Sequence, residues 1–194
     1  ALAHNGNLTN AVDLYNRLRR KGLEFRGTTD SEIIAALISS DYGRHIEDAV
    51  SNVMPQLEGA YSTVVMTKHA IVAFRDPYGI RPLSLGQLPD GSYTFASESC
   101  AFDIIGAKLI REVSPGEMIS LSEDGLESRQ VIKSEKTAMC VFEHIYFSRP
   151  DTKLEGKRLQ EVRGQMGEIL WREAPVEADL VIAVPDSGTP AARG

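Results

Sequence analysis

The hydrophobic period of this chain changes near residue 60, and that change limits the folds open to it. Between Asn10 and Arg20 the apolar residues Val12, Leu14, Tyr15 and Leu18 recur at helical spacing, with Gly22 placed to stop the helix. A second helix is expected from Asp30 or Ser31, with Glu32 in its first turn and Ile33, Ile34, Leu37 and Ile38 facing inward. A third runs from His45 towards Leu57, where Pro55 bends or ends it. Beyond it come short β-rich runs at residues 61–67, 70–74, 83–86, 93–97, 108–113, 118–121 and 128–132, separated by Gly, Pro and Asp. Pro89-Asp90-Gly91 and Glu123-Asp124-Gly125 read as hairpin turns in that series. Helices followed by a meander predict an α+β layered domain.

A polar, charged stretch at residues 133–137 marks the expected junction, giving a first domain over 1–137 and a second part over 138–194. In the second part a helix is expected over 157–172 with Leu159, Val162, Met166, Ile169 and Leu170 inward. A continuous apolar strand at 178–184 then leads into Pro185-Asp186-Ser187-Gly188-Thr189. A helix followed by a fully buried strand is how an α/β unit begins. Because the chain opens on Ala1 and stops as a further helix begins, it reads as an internal piece of something longer.

With 194 residues the chain can bury a real core, and its net charge of -6 without a basic, aromatic-interleaved run speaks against nucleic acid as partner. No run approaches the roughly 18 apolar residues of a membrane span. Cys100 and Cys140 form no C-x-x-C pair, so neither a disulfide framework nor a complete metal site is written here, and a reducing, cytoplasmic setting is expected.

Several short strings carry chemistry. His4-Asn5-Gly6-Asn7 places a side-chain amide next to an unhindered backbone N–H, the pair of donors an oxyanion hole requires; the same Asn-Gly is also a tight-turn signal. In Thr28-Thr29-Asp30-Ser31-Glu32 a carboxylate opens a helix, where it can hold an ammonium group or simply cap the helix. Arg75-Asp76-Pro77-Tyr78-Gly79-Ile80-Arg81-Pro82-Leu83 reads locally as a turn with a salt bridge. Cys140 with His144 four residues on reads locally as a same-face ligand pair or thiol–base dyad, or else as a small buried hydrophobe. The Asp186-Ser187 loop, before an incipient helix, suits an anion and is equally a turn composition. His45, His69 and Trp171 read as helix-surface, turn and packing residues, and Cys100 as structural.

Taken in order, these strings resemble the glutamine phosphoribosylpyrophosphate amidotransferase (amidophosphoribosyltransferase) family. Gly59-Ala60-Tyr61, Ala96-Ser97-Glu98-Ser99-Cys100-Ala101-Phe102-Asp103, Pro115-Gly116-Glu117-Met118, Tyr146-Phe147-Ser148-Arg149-Pro150-Asp151 and Val184-Pro185-Asp186-Ser187 extend the match across the chain. The resemblance implies a four-layer αββα N-terminal-nucleophile hydrolase domain, partial here, followed by the start of an α/β phosphoribosyltransferase domain. It implies that glutamine is split by an N-terminal Cys not present in this sequence. The ammonia then displaces pyrophosphate from phosphoribosylpyrophosphate, the first committed step of purine synthesis. Asn5 and Gly6 fall on the family's oxyanion donors, Asp30 on the residue holding the glutamine α-amino group, and Asp186 and Ser187 on a pyrophosphate loop. Cys140 falls on the first of four Cys ligands of a [4Fe-4S] cluster found in some members. Mg2+ with phosphoribosylpyrophosphate, and homo-oligomerisation, follow from the same resemblance. The alternatives are another class II amidotransferase, such as an asparagine or glucosamine-phosphate synthase, and a homologue without nucleophile that serves as a regulatory or binding module.

Overall fold

The computed structural model describes residues 1–43 and 45–194. They form two compact units, residues 1–83 with 113–139 and residues 84–112 with 140–194. The polar stretch at 133–137 ends just before one of the crossings between units. Residues 84–112 belong to the second of these units.

In the first unit, strand β1 (Leu2–Leu8) precedes helices α1 (Ala11–Arg20), α2 (Asp30–Asp41) and α3 (Ile46–Val53). Strands β2 (Gly59–Met66) and β3 (Ala70–Arg75) follow, and the chain returns later with β7 (Glu117–Ser122) and β8 (Gly125–Gln130). They make one five-stranded antiparallel sheet in the order β1-β2-β3-β7-β8, with β1 at an edge. One face of that sheet carries Leu8, Tyr61, Val65, Val72 and Phe74 into a single core with the three helices. Leu18, Ile34 and Val50 supply the helical side, each worth about 1.5–3 kcal/mol when fully buried.

Local chemistry sets the element ends. Thr29, rather than Asp30 or Ser31, is the N-cap of α2, its hydroxyl facing the Glu32 N–H at 3.4 Å. Asp30 is thereby left to point elsewhere. Pro55 ends α3 in a short 3-10 turn, Met54–Gln56, at a position where its missing N–H costs nothing. Pairing in β8 begins at Gly125, earlier than the expected 128–132, because a φ of +111° there closes the Glu123-Asp124 loop at once.

The string at 75–82 is a heavily bonded turn. Arg75 and Asp76 are 3% and 0% exposed. The Arg75 guanidinium donates to the carbonyls of Arg81 (2.7 Å), Val113 (2.7 Å) and Gly79 (3.0 Å). The Asp76 carboxylate accepts N–H groups of Tyr78 (2.9 Å), Ile80 (3.1 Å) and Tyr61 (3.3 Å). Burial pushes its pKa up, and those three backbone donors, with Arg75 beside it, pull the other way. Gly79 has a φ of +63°, and a Cβ there would meet the Pro115 ring at 2.9 Å, so any other residue strains the turn.

The second unit holds a three-stranded antiparallel sheet in the order β5-β4-β6, from β4 (Ser84–Gln87), β5 (Tyr93–Ala96) and β6 (Lys108–Glu112). The expected Pro89-Asp90-Gly91 hairpin joins β4 to β5. Helix α4 (Cys100–Ile105) seats Phe102 against Gly86, where a Cβ would lie 2.9 Å from the ring. A π-helical turn, Glu143–Phe147, and a two-residue ladder of β9 (Lys153–Leu154) and β10 (Lys157–Arg158) lead into α5 (Leu159–Glu173) and α6 (Gly188–Arg193).

Three expectations fail in whole or in part in this unit. The inward stripe of α5 is Leu159, Arg163 and Gly167, while Ile169 and Leu170 are 49% and 64% exposed and Trp171, expected to pack, is 64% exposed. Arg163 claims the inner face by donating to the carbonyls of His144 (2.7 Å) and Ser148 (2.6 Å). Gly167 admits the backbone of α6, whose Ala191 carbonyl would stand 1.9 Å from a Cβ. The apolar run 178–184 forms no strand, and Ile182 and Val184 are each 81% exposed. A strand is defined by its ladder, and none of the described strands pairs with this run.

Replacing Asp76 with Ala removes one acceptor from three buried donors. The expected loss is about 3 kcal/mol, read as a lower urea midpoint at unchanged slope; a midpoint equal to the parent's would show that the turn holds without the carboxylate.

Candidate active site

The Asn5-Gly6 pair lies in mid-strand, so its reading as a hairpin turn is set aside. Glycine is required for a different reason: φ at Gly6 is +154°, and a Cβ would sit 2.0 Å from the Ala60 carbonyl on β2. The direction of the Gly6 N–H follows from the ladder. Ala1 exchanges both backbone bonds with Met66 at 2.8 Å, and the Thr9 N–H reaches the Glu58 carbonyl at 2.9 Å. Odd-numbered residues of β1 therefore bond to β2, and His4, Gly6 and Leu8 present theirs along the open edge. The Leu8 N–H bears this out by reaching Asp30 Oδ2 at 3.1 Å.

Asp30 is thus docked against the same edge. Its other oxygen, Oδ1, stands 3.5 Å from His4 Nδ1, which is also 3.2 Å from Ser31 Oγ. The His4 side chain is 2% exposed and the Asp30 side chain 19%, so the carboxylate keeps an accessible face while the imidazole is enclosed. His4 Nε2 is buried without a hydrogen-bond partner and lies under Gly6, 2.9 Å from where a Cβ would be. Glu32, which the sequence places in the same loop, turns away to accept the N–H groups of Arg26 and Gly27, each at 2.8 Å.

On the opposite face of β1, Asn5 lies across from Ser62. Arg81 Nε donates to Asn5 Oδ1 at 3.0 Å. The fold therefore places Asn5 and Gly6 on the edge strand, with Asp30 docked against the same strand through Leu8 and His4. It adds His4 and Arg81, which sequence reasoning quoted inside motifs without giving them a task. The signal for Arg81 was its place in the nine-residue string; its partner, far away in sequence, was not readable.

The remaining sequence candidates belong to the second unit. Asp186 and Ser187 line a groove of about 790 Å³ with Tyr146, Arg149, Asp151 and Arg163. The Arg149–Asp151 pair at its rim is bidentate, 3.1 and 2.9 Å, which holds the Asp151 pKa below its ordinary value. Glu98 ties this loop down: its Oε2 accepts the Arg149 N–H and the Thr152 hydroxyl, both at 2.7 Å, while Ser99 Oγ accepts the Lys153 N–H at 2.7 Å. The two strings Ser97-Glu98-Ser99 and Ser148-Arg149-Pro150-Asp151 are thus a latch and its loop. Cys100 is buried beside Glu98, and burial pushes its thiol pKa up. Cys140 is half-buried, its carbonyl accepting the Glu143 N–H. Among the described residues no group of three or more His, Cys, Asp or Glu could hold a metal, so these residues alone do not fit a four-cysteine cluster.

A glutamine amidotransferase domain profile matches residues 1–103, more than half of the chain. The chain belongs to the glutamine amidotransferase family. Over its whole length it is 42% identical to the amidophosphoribosyltransferase of Bacillus subtilis and 46% identical to that of Synechocystis. The chain spans 40% of the length of each. The solved glutamine PRPP amidotransferase of B. subtilis, complexed with ADP and GMP, superposes with a TM-score of 0.94 at 42% identity, covering 99% of this chain and 42% of that one. A class-II glutamine amidotransferase domain protein from Silicibacter pomeroyi, at 15% identity and a TM-score of 0.50, shares the fold alone. The fold class expected from sequence, an α+β N-terminal-nucleophile hydrolase domain leading into an α/β part, is the one these likenesses carry. No helix of the described residues is long and apolar enough to cross a membrane.

Removing the latch with Glu98→Ala is expected to raise hydrogen exchange at the Arg149 amide roughly tenfold to a hundredfold, as for loss of a bond to a charged acceptor. The Lys153 amide, held by Ser99, serves as the internal control; equal exchange at Arg149 in variant and parent would remove Glu98 from the loop's support.

Proposed function

We propose that this chain is part of an amidophosphoribosyltransferase, in which it forms most of the glutamine-splitting site and the opening of the phosphoribosyltransferase part. The observation that carries the reading is the edge strand β1, which bears an amide side chain and an outward N–H and has a carboxylate docked against it. The attacking thiol comes from the length of the relatives that this chain does not span. It adds to the glutamine side-chain carbonyl carbon, and the electron pair moves to oxygen. Asn5 Nδ2 and the Gly6 N–H stabilise that oxyanion, worth about 3 kcal/mol per donor elsewhere. Collapse expels ammonia and leaves a thioester, which water hydrolyses to glutamate. Asp30 binds the α-ammonium of glutamine, its partly accessible carboxylate already oriented by Leu8 and His4.

In the second half of the reaction ammonia attacks the anomeric carbon of phosphoribosylpyrophosphate and pyrophosphate leaves, giving phosphoribosylamine. Asp186 and Ser187 border the groove assigned to that pyrophosphate. The division into residues 1–137 and 138–194 is the functional one, glutaminase and transferase. Mg2+ accompanies the phosphoribosylpyrophosphate outside these residues. Cys140 is this chain's single candidate ligand for an iron–sulfur cluster. A cytoplasmic homo-oligomer completes the reading.

In the full-length protein, Asn5→Ala is expected to cut glutamine-dependent turnover about a hundredfold or more while ammonia-dependent turnover survives. Equal loss of both would make Asn5 structural. Asp30→Ala is expected to raise the glutamine KM with little change in ammonia use; unchanged glutamine saturation would take Asp30 out of the site.

A further inference from the structure

An oxyanion donor on a side-chain amide has a weakness that a backbone N–H lacks. The primary amide of asparagine can present either its NH2 or its oxygen to a given direction, and only one of the two stabilises negative charge. A hole built on Asn5 therefore needs a device that chooses the rotamer.

Arg81 has the geometry of that device. A guanidinium carries only donors, so the Asn5 atom 3.0 Å from Arg81 Nε must be the carbonyl oxygen, and the amide is thereby turned. Its NH2 end is directed to the other side of the side chain. The backbone of Arg81 is fixed independently, because its carbonyl accepts from Ser62 Oγ at 2.9 Å and from Arg75 Nε at 2.7 Å. Ser62 pairs with Asn5 across β1 and β2, and Arg75 pairs with Ser62 across β2 and β3. Asn5, Ser62 and Arg75 thus form one row across the sheet, and Arg81 is bonded to every member of it. The turn that delivers Arg81 is the one whose N–H groups converge on Asp76. Charge on the donor also polarises the amide, which makes its N–H bonds better donors.

We infer that Arg81 is a positioning residue for amide cleavage, selecting the Asn5 rotamer in which the NH2 end, and not the oxygen, serves as the oxyanion donor. The inference rests on the proposed role of Asn5. It assigns Arg81 no contact with glutamine.

The test is a set of substitutions in the full-length protein, assayed with glutamine and with ammonia. Gln places Nε2 where Arg has Nε, Glu places an acceptor there, and Leu places nothing. Arg81→Leu is expected to lower glutamine-dependent kcat about tenfold to a hundredfold, less than outright removal of the oxyanion donor, with the glutamine KM within about twofold. Arg81→Gln should recover most of that loss, and Arg81→Glu should fall below Arg81→Leu because it draws the NH2 end towards itself. Added to Asn5→Ala, Arg81→Leu should cost nothing further. Ammonia-dependent turnover reports that the rest of the enzyme is folded; if Arg81→Leu loses it, the Gln and Glu variants carry the comparison, and equal activity in those two overturns the inference. A further loss on top of Asn5→Ala, or wild-type kcat in Arg81→Leu, overturns it as well. If Asn5→Ala itself leaves glutamine turnover intact, the oxyanion reading fails and takes this inference with it; if Asn5→Ala is crippled and Arg81→Leu is not, this inference alone fails.

Discussion

One buried carboxylate organises the working side of the first unit. Asp76, fully enclosed, gathers the N–H groups of Tyr61, Tyr78 and Ile80, and so fastens a turn to the second strand of the sheet. A charge taken out of water is tolerated only where its lone pairs are met, and here backbone donors meet them. What this arrangement gains is placement: the chain leaves the turn with Arg81 over the Asn5–Ser62–Arg75 row. The same economy recurs in the second unit. There Arg163 is bonded to carbonyls of the π-helical turn and of Ser148, and Glu98 holds the Arg149-Pro150-Asp151 loop.

The edge of the sheet serves the proposed site because it is an edge. A central strand would spend both sets of its backbone groups on neighbours, whereas β1 keeps the N–H groups of alternate residues outward. Leu8 uses its own to orient Asp30, and Gly6 offers the next one along. Natural sheets usually blunt such edges; here α2 brings Asp30 and Ser31 against this one.

Much of this was legible in sequence. The helical stripe of Leu14 and Leu18, the Pro55 stop and the hairpins at 89–91 and 123–125 are local consequences of side-chain period and turn chemistry, and they stand as read. The first strand was not legible, because His4, Asn5, Gly6 and Asn7 have neither alternation nor β propensity. It exists because β2 lies beside it and because Gly6 tolerates the Ala60 carbonyl. Helix α5 misled in the opposite way: its apolar residues pointed to Ile169 and Leu170, while a buried arginine and a glycine took the inner face.

By itself the sequence determined which residue types stand in which motifs, and with them the family and the chemistry proposed, since amide, carboxylate and glycine are covalent facts. Only the tertiary structure decided that Asp30 and Arg81 both reach the edge strand that carries Asn5, that Thr29 caps so that Asp30 is released, and which way the Asn5 amide turns. The Thr29 cap is local, but the other outcomes depend on hydrogen bonds between residues far apart in sequence, whose geometry a local pattern does not encode.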